Sequence, residues 1–204
     1  FDLVVKNFLG KKMIIKNIVL NLIGKHNILN SVAAIGVCLN LGIKTNNIKR
    51  ALLKFTGVQR RMTKIFEKNG NEFYDDYAHH PTEIYSVLES IKKVANQKKI
   101  TSVFQPHRFS RVSLLKKEFS KSFKFSDRVV LCPIYAAGEK IDKKIDLIKF
   151  GRMIALNSNV ELIIIKDEEN FKNFFKKNLI KNEIVIGMGA GSISNWMRNL
   201  KLSL

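Results

Sequence analysis

The run at residues 71–94, "NEFYDDYAHHPTEIYSVLESIKKV", decides how the rest of the chain is read. "NEFYDD" reads as a strand. Pro81 stands where a helix begins, the place at which its missing N–H costs nothing. Ile84, Val87, Leu88, Ile91 and Val94 then recur on one helical face. Between strand and helix lie Asp75, Asp76, Tyr77, His79 and His80. Strand, polar loop and helix together make the repeating unit of an α/β fold.

Downstream the alternation continues. "KITSVFQ", "DRVVLCPIY", "VELIII" and "NEIVIGM" read as strands. "RVSLLKKEFSKSF", "LIKFGRMIAL", "DEENFKNFFKKN" and "SISNWMRNL" read as the helices between and after them. The expected fold class is α/β, a parallel, doubly wound sheet. Upstream, two β-like runs flank Asn69-Gly70, a hairpin signal because both turn positions tolerate positive φ. A domain boundary is placed near Gly57. Before it, "FDLVV" and "MIIKNIVLNLI" read as strands and "GKHNILNSVAAIGVCLNLGI" as a helix. Ile28, Val32, Ile35 and Leu39 form one face of that helix, and Gly42 is its stop. A second short helix presents Ile48, Leu52 and Phe55.

The polar residues cluster just past strand ends: "DDYAHHP", "QPHRFSR", "YAAGEK" and "GMGAGS". In a parallel sheet the carboxyl ends of strands share one edge, and ligands bind there. Each cluster has more than one reading. His79 and His80 fit a helix cap, an acid–base pair, metal ligands or a cleft rim. Asp75 and Asp76 point to opposite faces of a strand, so at most one enters a cleft. Arg108 and Arg111, three apart at a helix start, suit a carboxylate or phosphate clamp or an ordinary surface pair. "GMGAGS" fits close strand–helix packing better than a dinucleotide fingerprint, since no ribose-binding acid follows. No phosphate-cradling G-x-x-x-x-G-K-[ST] occurs.

The chain has 204 residues, 46% of them hydrophobic, enough for one core or one domain plus part of another. Its formal net charge of +19 is spread over every expected helix, a solvated basic surface rather than a nucleic-acid stripe. Such a field attracts small anions. Cys38 and Cys132 sit in apolar runs and read as free, buried thiols of a reducing compartment. No apolar run is long enough for a membrane span, and the opening lacks the features of a signal peptide. The chain reads as a portion of a longer protein.

Five stretches, "GKHNILNSVAAI", "FTGVQRRM", "YDDYAHHPTEI", "VFQPHRFSR" and "YAAGE", resemble in order and spacing the Mur ligase family of peptidoglycan synthesis. Within it they resemble the ligases that join L-alanine to UDP-N-acetylmuramate. The likeness is strong over residues 20–140 or so. It implies that residues 1–56 are the tail of a central P-loop ATPase domain and residues 57–204 a Rossmann-like C-terminal domain. It implies a cytoplasmic enzyme using ATP and Mg2+, with the metal ligands upstream of this chain. The reaction implied passes through an acyl phosphate of UDP-N-acetylmuramate, which the alanine amine attacks. No nucleic acid or membrane partner is implied, and the chain by itself is expected to be inactive.

Residue by residue, the resemblance places Asn27 and Asn30 at adenine, Arg61 at nucleotide phosphate and Asp76 at the ribose hydroxyls. Tyr77 and His79 fall near the incoming alanine, Arg111 at its carboxylate with Arg108 close by, and Tyr135 and Glu139 in the cleft. Arg61 and His79 are the candidate catalytic groups. A murein-peptide recycling ligase carries similar motifs but lacks "QPHRFSR". A non-catalytic nucleotide-binding remnant, a metal-dependent hydrolase using Asp75, Asp76, His79, His80 and His107, and an RNA-binding protein are the other classes weighed.

Overall fold

The computed structural model describes residues 1–22, 24–142 and 144–204, and the chain divides into two compact units, Phe1–Val58 and Gln59–Leu204. In the first, strands β1 (Leu3–Phe8) and β2 (Lys11–Ile15) form an antiparallel hairpin, followed by helices α1 (Lys25–Asn40) and α2 (Thr45–Lys54). Its core is Ile15, Ile18, Ile35, Leu39 and Ile48. The second strand is shorter than its apolar run suggests. Asn17 adopts φ 57° and its N–H bonds to the Asp2 side chain (2.8 Å), which turns the chain out of the ladder. Ile23, the end of that run, lies outside the described residues. α1 buries the face carrying Ser31, Ile35 and Leu39, while Ile28, in its first turn on the same face, is exposed.

The second unit is a six-stranded sheet in the order β3-β4-β8-β5-β6-β7. The strands are β3 (Thr63–Lys68), β4 (Asn71–Asp76), β5 (Lys99–Phe104), β6 (Arg128–Leu131), β7 (Glu161–Ile164) and β8 (Glu183–Met188). Only the β3–β4 pair is antiparallel. Its two-residue turn has Asn69 at φ 53° and Gly70 at φ 78°, the geometry the Asn-Gly signal calls for. β8, last in sequence, inserts between β4 and β5, so the "GMGAGS" cluster leaves from the middle of the sheet.

The helices are α3 (Pro81–Val94), α4 (Phe109–Ser120), α5 (Leu147–Ser158), α6 (Glu168–Asn178) and α7 (Ile193–Leu200). Strand alternation divides the core in two. Ile100, Phe104, Val129, Leu131, Ile184, Ile186 and Met188 face α3, α4 and α5; Phe73, Val103, Val130 and Val185 face α6 and α7. This is the doubly wound arrangement expected, with helices on both faces. Phe73, Phe104, Phe119, Phe123, Phe171 and Phe175 are wholly enclosed, and truncating such a ring costs ~3–5 kcal/mol.

Local signals set the helix starts. Pro81 opens α3, the His80 ring accepts from the Thr82 N–H (3.4 Å), and the Glu83 carboxylate accepts from the His79 and His80 N–H groups (3.0 and 3.2 Å). Asp146 and Asp167 cap α5 and α6. Val94 is half exposed, because α3 ends there and Ala95 takes the buried place instead. Among the described residues no helix is long and apolar enough to cross a membrane.

Candidate active site at the carboxyl edge of the sheet

The register puts Asp76 opposite Met188, Met188 opposite Phe104 and Phe104 opposite Leu131. The loops after β4, β8, β5 and β6 therefore leave from one edge. They are laced together beyond it. Gln105 N–H donates to Met188 O (3.0 Å), Tyr135 N–H to Pro106 O (2.8 Å) and Arg108 N–H to Tyr135 O (2.8 Å). The buried Gln105 side chain accepts from the Ile193 N–H (3.0 Å) at the start of α7.

The glycines of the β8 loop make room rather than a cradle. A Cβ at Gly187 would fall 2.5 Å from Met197, one at Gly189 2.7 Å from Gln105 O, and one at Gly191 2.5 Å from the Tyr135 ring. Strand–helix and loop–loop packing account for all three.

Four rings run along the edge. Tyr77 meets His79 edge-on (5.1 Å between centroids), His79 meets His107 (5.8 Å), and His107 stacks on Tyr135 (5.6 Å, 18°). His79 Nδ1 is bonded to Tyr77 O (2.8 Å). Burial, then the charges of Arg111, His79 and Arg108, hold the His107 pKa below the usual histidine range, which favours the neutral ring. His107 Nδ1 and Arg111 Nη1 are both buried and, among the described residues, without a hydrogen-bond partner. A buried guanidinium nitrogen left unpaired is costly, and a carboxylate supplied from outside would satisfy it.

Arg108 and Arg111 do not share a helical face. Arg108 precedes the helix with φ 72°, and only Arg111 lies within α4. Glu139 differs from the expectation of a cleft residue: it accepts from Ser110 N–H (3.1 Å) and Ser110 Oγ (2.5 Å), capping α4. Those bonds hold its pKa below the usual carboxylate range. Tyr135 is partly exposed and stacks on His107.

Asp75 and Asp76 do face opposite ways, but neither is open. Asp76 is 2% exposed, and its two oxygens accept from Met62 N–H (2.8 Å) and Ala78 N–H (2.7 Å). Burial pushes its pKa up to about 6, against the pull of those two bonds and of Arg61. These bonds let Asp76 fasten the "RRM" turn to the β4 loop. Asp75, fully buried, accepts from Ser194 Oγ (2.5 Å) and pairs with Arg198 (3.4 Å). Arg61 is exposed, its guanidinium 5.7 Å from the Tyr77 ring centre. Asn27 and Asn30, three apart in the first turns of α1, lie in the first unit.

Arg60, Gln105 and His107 were given no place in the ligase reading. Gln105 and His107 stand inside the quoted "QPHRFSR", and Arg60 is the first arginine of "RRM". Among the described residues no group of three or more His, Cys, Asp or Glu could hold a metal ion. Cys132 is buried and its pKa is raised by that burial; Cys38 is half-buried.

Residues 60–191 match the family described as "Mur ligase, glutamate ligase domain". A UDP-N-acetylmuramate–L-alanine ligase from Pelagibacter ubique is 49% identical over 98% of this chain and 43% of its own length. The chain thus spans about two fifths of that relative. The crystal structure of a UDP-N-acetylmuramate–alanine ligase from Thermotoga maritima superposes with a TM-score of 0.70 at 26% identity, covering 94% of this chain and 39% of that one. A murein peptide ligase from Psychrobacter arcticus has the same fold, with a TM-score of 0.70 at 18% identity over 94% of this chain and 39% of its own. With a family match across most of its second unit and close relatives along nearly its whole length, the chain belongs to the Mur ligase family.

Proposed function

We propose that this chain supplies the adenine/ribose and amino-acid side of a ligase that uses ATP to join L-alanine to UDP-N-acetylmuramate, in cytoplasmic peptidoglycan precursor synthesis. Residues 1–56 are read as the tail of the central ATP-binding domain and 57–204 as the C-terminal domain. The observation that carries the reading is the pair of buried, unpartnered polar atoms, Arg111 Nη1 and His107 Nδ1, beside the row of rings formed by Tyr77, His79, His107 and Tyr135.

The chemistry follows from the groups. ATP converts the lactyl carboxylate into an acyl phosphate, whose phosphate is a good leaving group. The alanine amine then attacks. For that, the amino acid must be held by its carboxylate with its nitrogen free. Arg111 takes the carboxylate, with Arg108 close by, and a planar guanidinium fixes its orientation. Tyr77 and His79 border the amino acid, and Tyr135 closes the wall. His79 positions the amino acid, with proton transfer as the alternative role for its ring. Glu139 acts through the α4 cap, which sets the turn bearing Arg111. Arg61 offset the charge on the transferring phosphoryl group. Asn27 and Asn30 suit adenine because an amide both donates to and accepts from a base edge. Asp76 sets the turn beneath Arg61, and a ribose hydroxyl has only the remaining lone pairs of its oxygens to use. The resemblance places the ligands of Mg2+ in a part of the enzyme upstream of this chain.

A chimera tests this. This chain replaces the matching portion of the Pelagibacter relative, and ADP release is measured. Release that requires both UDP-N-acetylmuramate and L-alanine is the expected result. Release driven equally well by a peptide in place of alanine, or none with a folded chimera, would overturn the reading.

A further inference from the structure

We propose that Arg60, held by Asp75, is a positioning residue that aims Arg61 and Tyr77 at the phosphate side of the site. The proposal rests on the reading of Arg61 as the phosphate-binding arginine. It begins from backbone conformation. Arg60 has φ 61° and Met62 has φ 49°, so two residues carrying a Cβ sit in the left-handed region on either side of Arg61. Such backbone persists only where its surroundings over-determine it.

The surroundings here do so. The Arg60 carbonyl accepts from the Tyr77 N–H (2.7 Å). The Met62 N–H donates to Asp76 (2.8 Å). Arg60 Nη2 donates to the Gly189 carbonyl in the β8 loop (2.6 Å). Three ties thus reach two loops of the sheet edge and leave Arg61 at the tip of the turn.

Asp75 supplies the electrostatic reason. The guanidinium groups of Arg60 and Arg61 lie 4.8 and 5.7 Å from the centre of the same Tyr77 ring, two like charges brought together. Asp75, wholly buried, stands 3.9 Å from Arg60 Nε and offsets that charge. Arg60 Nε and Asp75 Oδ1 are each buried without a hydrogen-bond partner among the described residues, and the 3.9 Å approach is to Asp75 Oδ2, the oxygen that Ser194 and Arg198 also meet. The charge left to meet an anion is that of Arg61. Asp75 is anchored from behind by Ser194 and Arg198 of α7, so the C-terminal helix backs the turn. A neighbouring pair of aspartates divides the labour: Asp76 holds the turn by its main chain and Asp75 by the Arg60 side chain.

The experiment titrates the full chain with sodium tripolyphosphate and follows the Arg61 Nε–Hε signal by NMR. Arg60→Lys separates geometry from charge, because an ammonium cannot bond Gly189 O, face Asp75 and lie on Tyr77 together. The expected result is binding about tenfold weaker, the scale of one lost charge-assisted contact, with a mobile Arg61 signal well below the unfolding temperature. Asp75→Asn, nearly isosteric, is expected to do the same and serves if the lysine variant does not fold. Wild-type binding and an ordered Arg61 in either folded variant would overturn the proposal. Arg61→Ala is the control: if it binds tripolyphosphate as well as the wild type, the reading of Arg61 itself fails, a distinct outcome.

Discussion

The polar clusters at the ends of β4 and β5 spend their hydrogen-bonding groups differently. Around the end of β4 most groups are committed, although Asp75 Oδ1 and Arg60 Nε are buried without a partner among the described residues. Asp75 binds Ser194 and Arg198, Asp76 binds two backbone N–H groups, and Glu83 with His80 caps α3. In the β5 loop Arg111 Nη1 and His107 Nδ1 are buried and unspent. The first loop is a frame and the second holds capacity for a ligand. Polar residues massed at a sheet edge do not by themselves mark ligand contacts, because a group already bonded within the fold has less left to offer a ligand.

Substitutions in the two loops should therefore separate. Asp75→Ala has the largest expected effect, because it strands the hydroxyl of Ser194 and two arginines. A loss of ~3 kcal/mol in urea unfolding is expected, and a loss near zero would break the idea of a committed frame. Arg111→Ala should leave urea stability within ~0.5 kcal/mol, since it removes a group already unpaired. Glu139→Gln weakens the α4 cap and should lower the urea midpoint by less than Asp75→Ala does, a smaller effect that sharpens the distinction between capping and contact.

The subtlest expectation concerns pH. Asp76 has its folded pKa at about 6, above the ordinary carboxylate value. The folded state binds that proton more tightly than the unfolded state. The stabilisation it brings is therefore complete below the unfolded pKa and is lost as pH rises through about 6. His107, with a lowered pKa, acts oppositely: its contribution is lost as pH falls below the unfolded histidine value. The difference between wild type and Asp76→Asn isolates the carboxylate. Between roughly pH 4 and 6 that difference should change; a constant difference would place the Asp76 pKa elsewhere.

Much of this was legible in the chain. Each strand–helix pair beyond Asn69 came from periodicity, and Pro81 and Asn69-Gly70 marked their turns because each allows few conformations. Strand order was not legible: nothing local says that β8 slides between β4 and β5. Nor was satisfaction. In "DDY" and "AAGE" nothing shows that Asp76 accepts from two N–H groups, or Glu139 from the N–H and hydroxyl of Ser110, because only the folded loops bring these donors near. Arg60 was hidden for the complementary reason. Its partners, Asp75 and Gly189, are brought to it by the β4–β8 pairing and not by sequence.

The account stands most directly on the alanine dependence of Arg111→Ala in the chimeric enzyme. A KM for L-alanine raised about a hundredfold, with the KM for ATP changed less than about threefold, is the result expected of a lost carboxylate clamp. An unchanged alanine KM with a collapsed ATP affinity would contradict it, and would place the unspent donors of the β5 loop on the nucleotide instead.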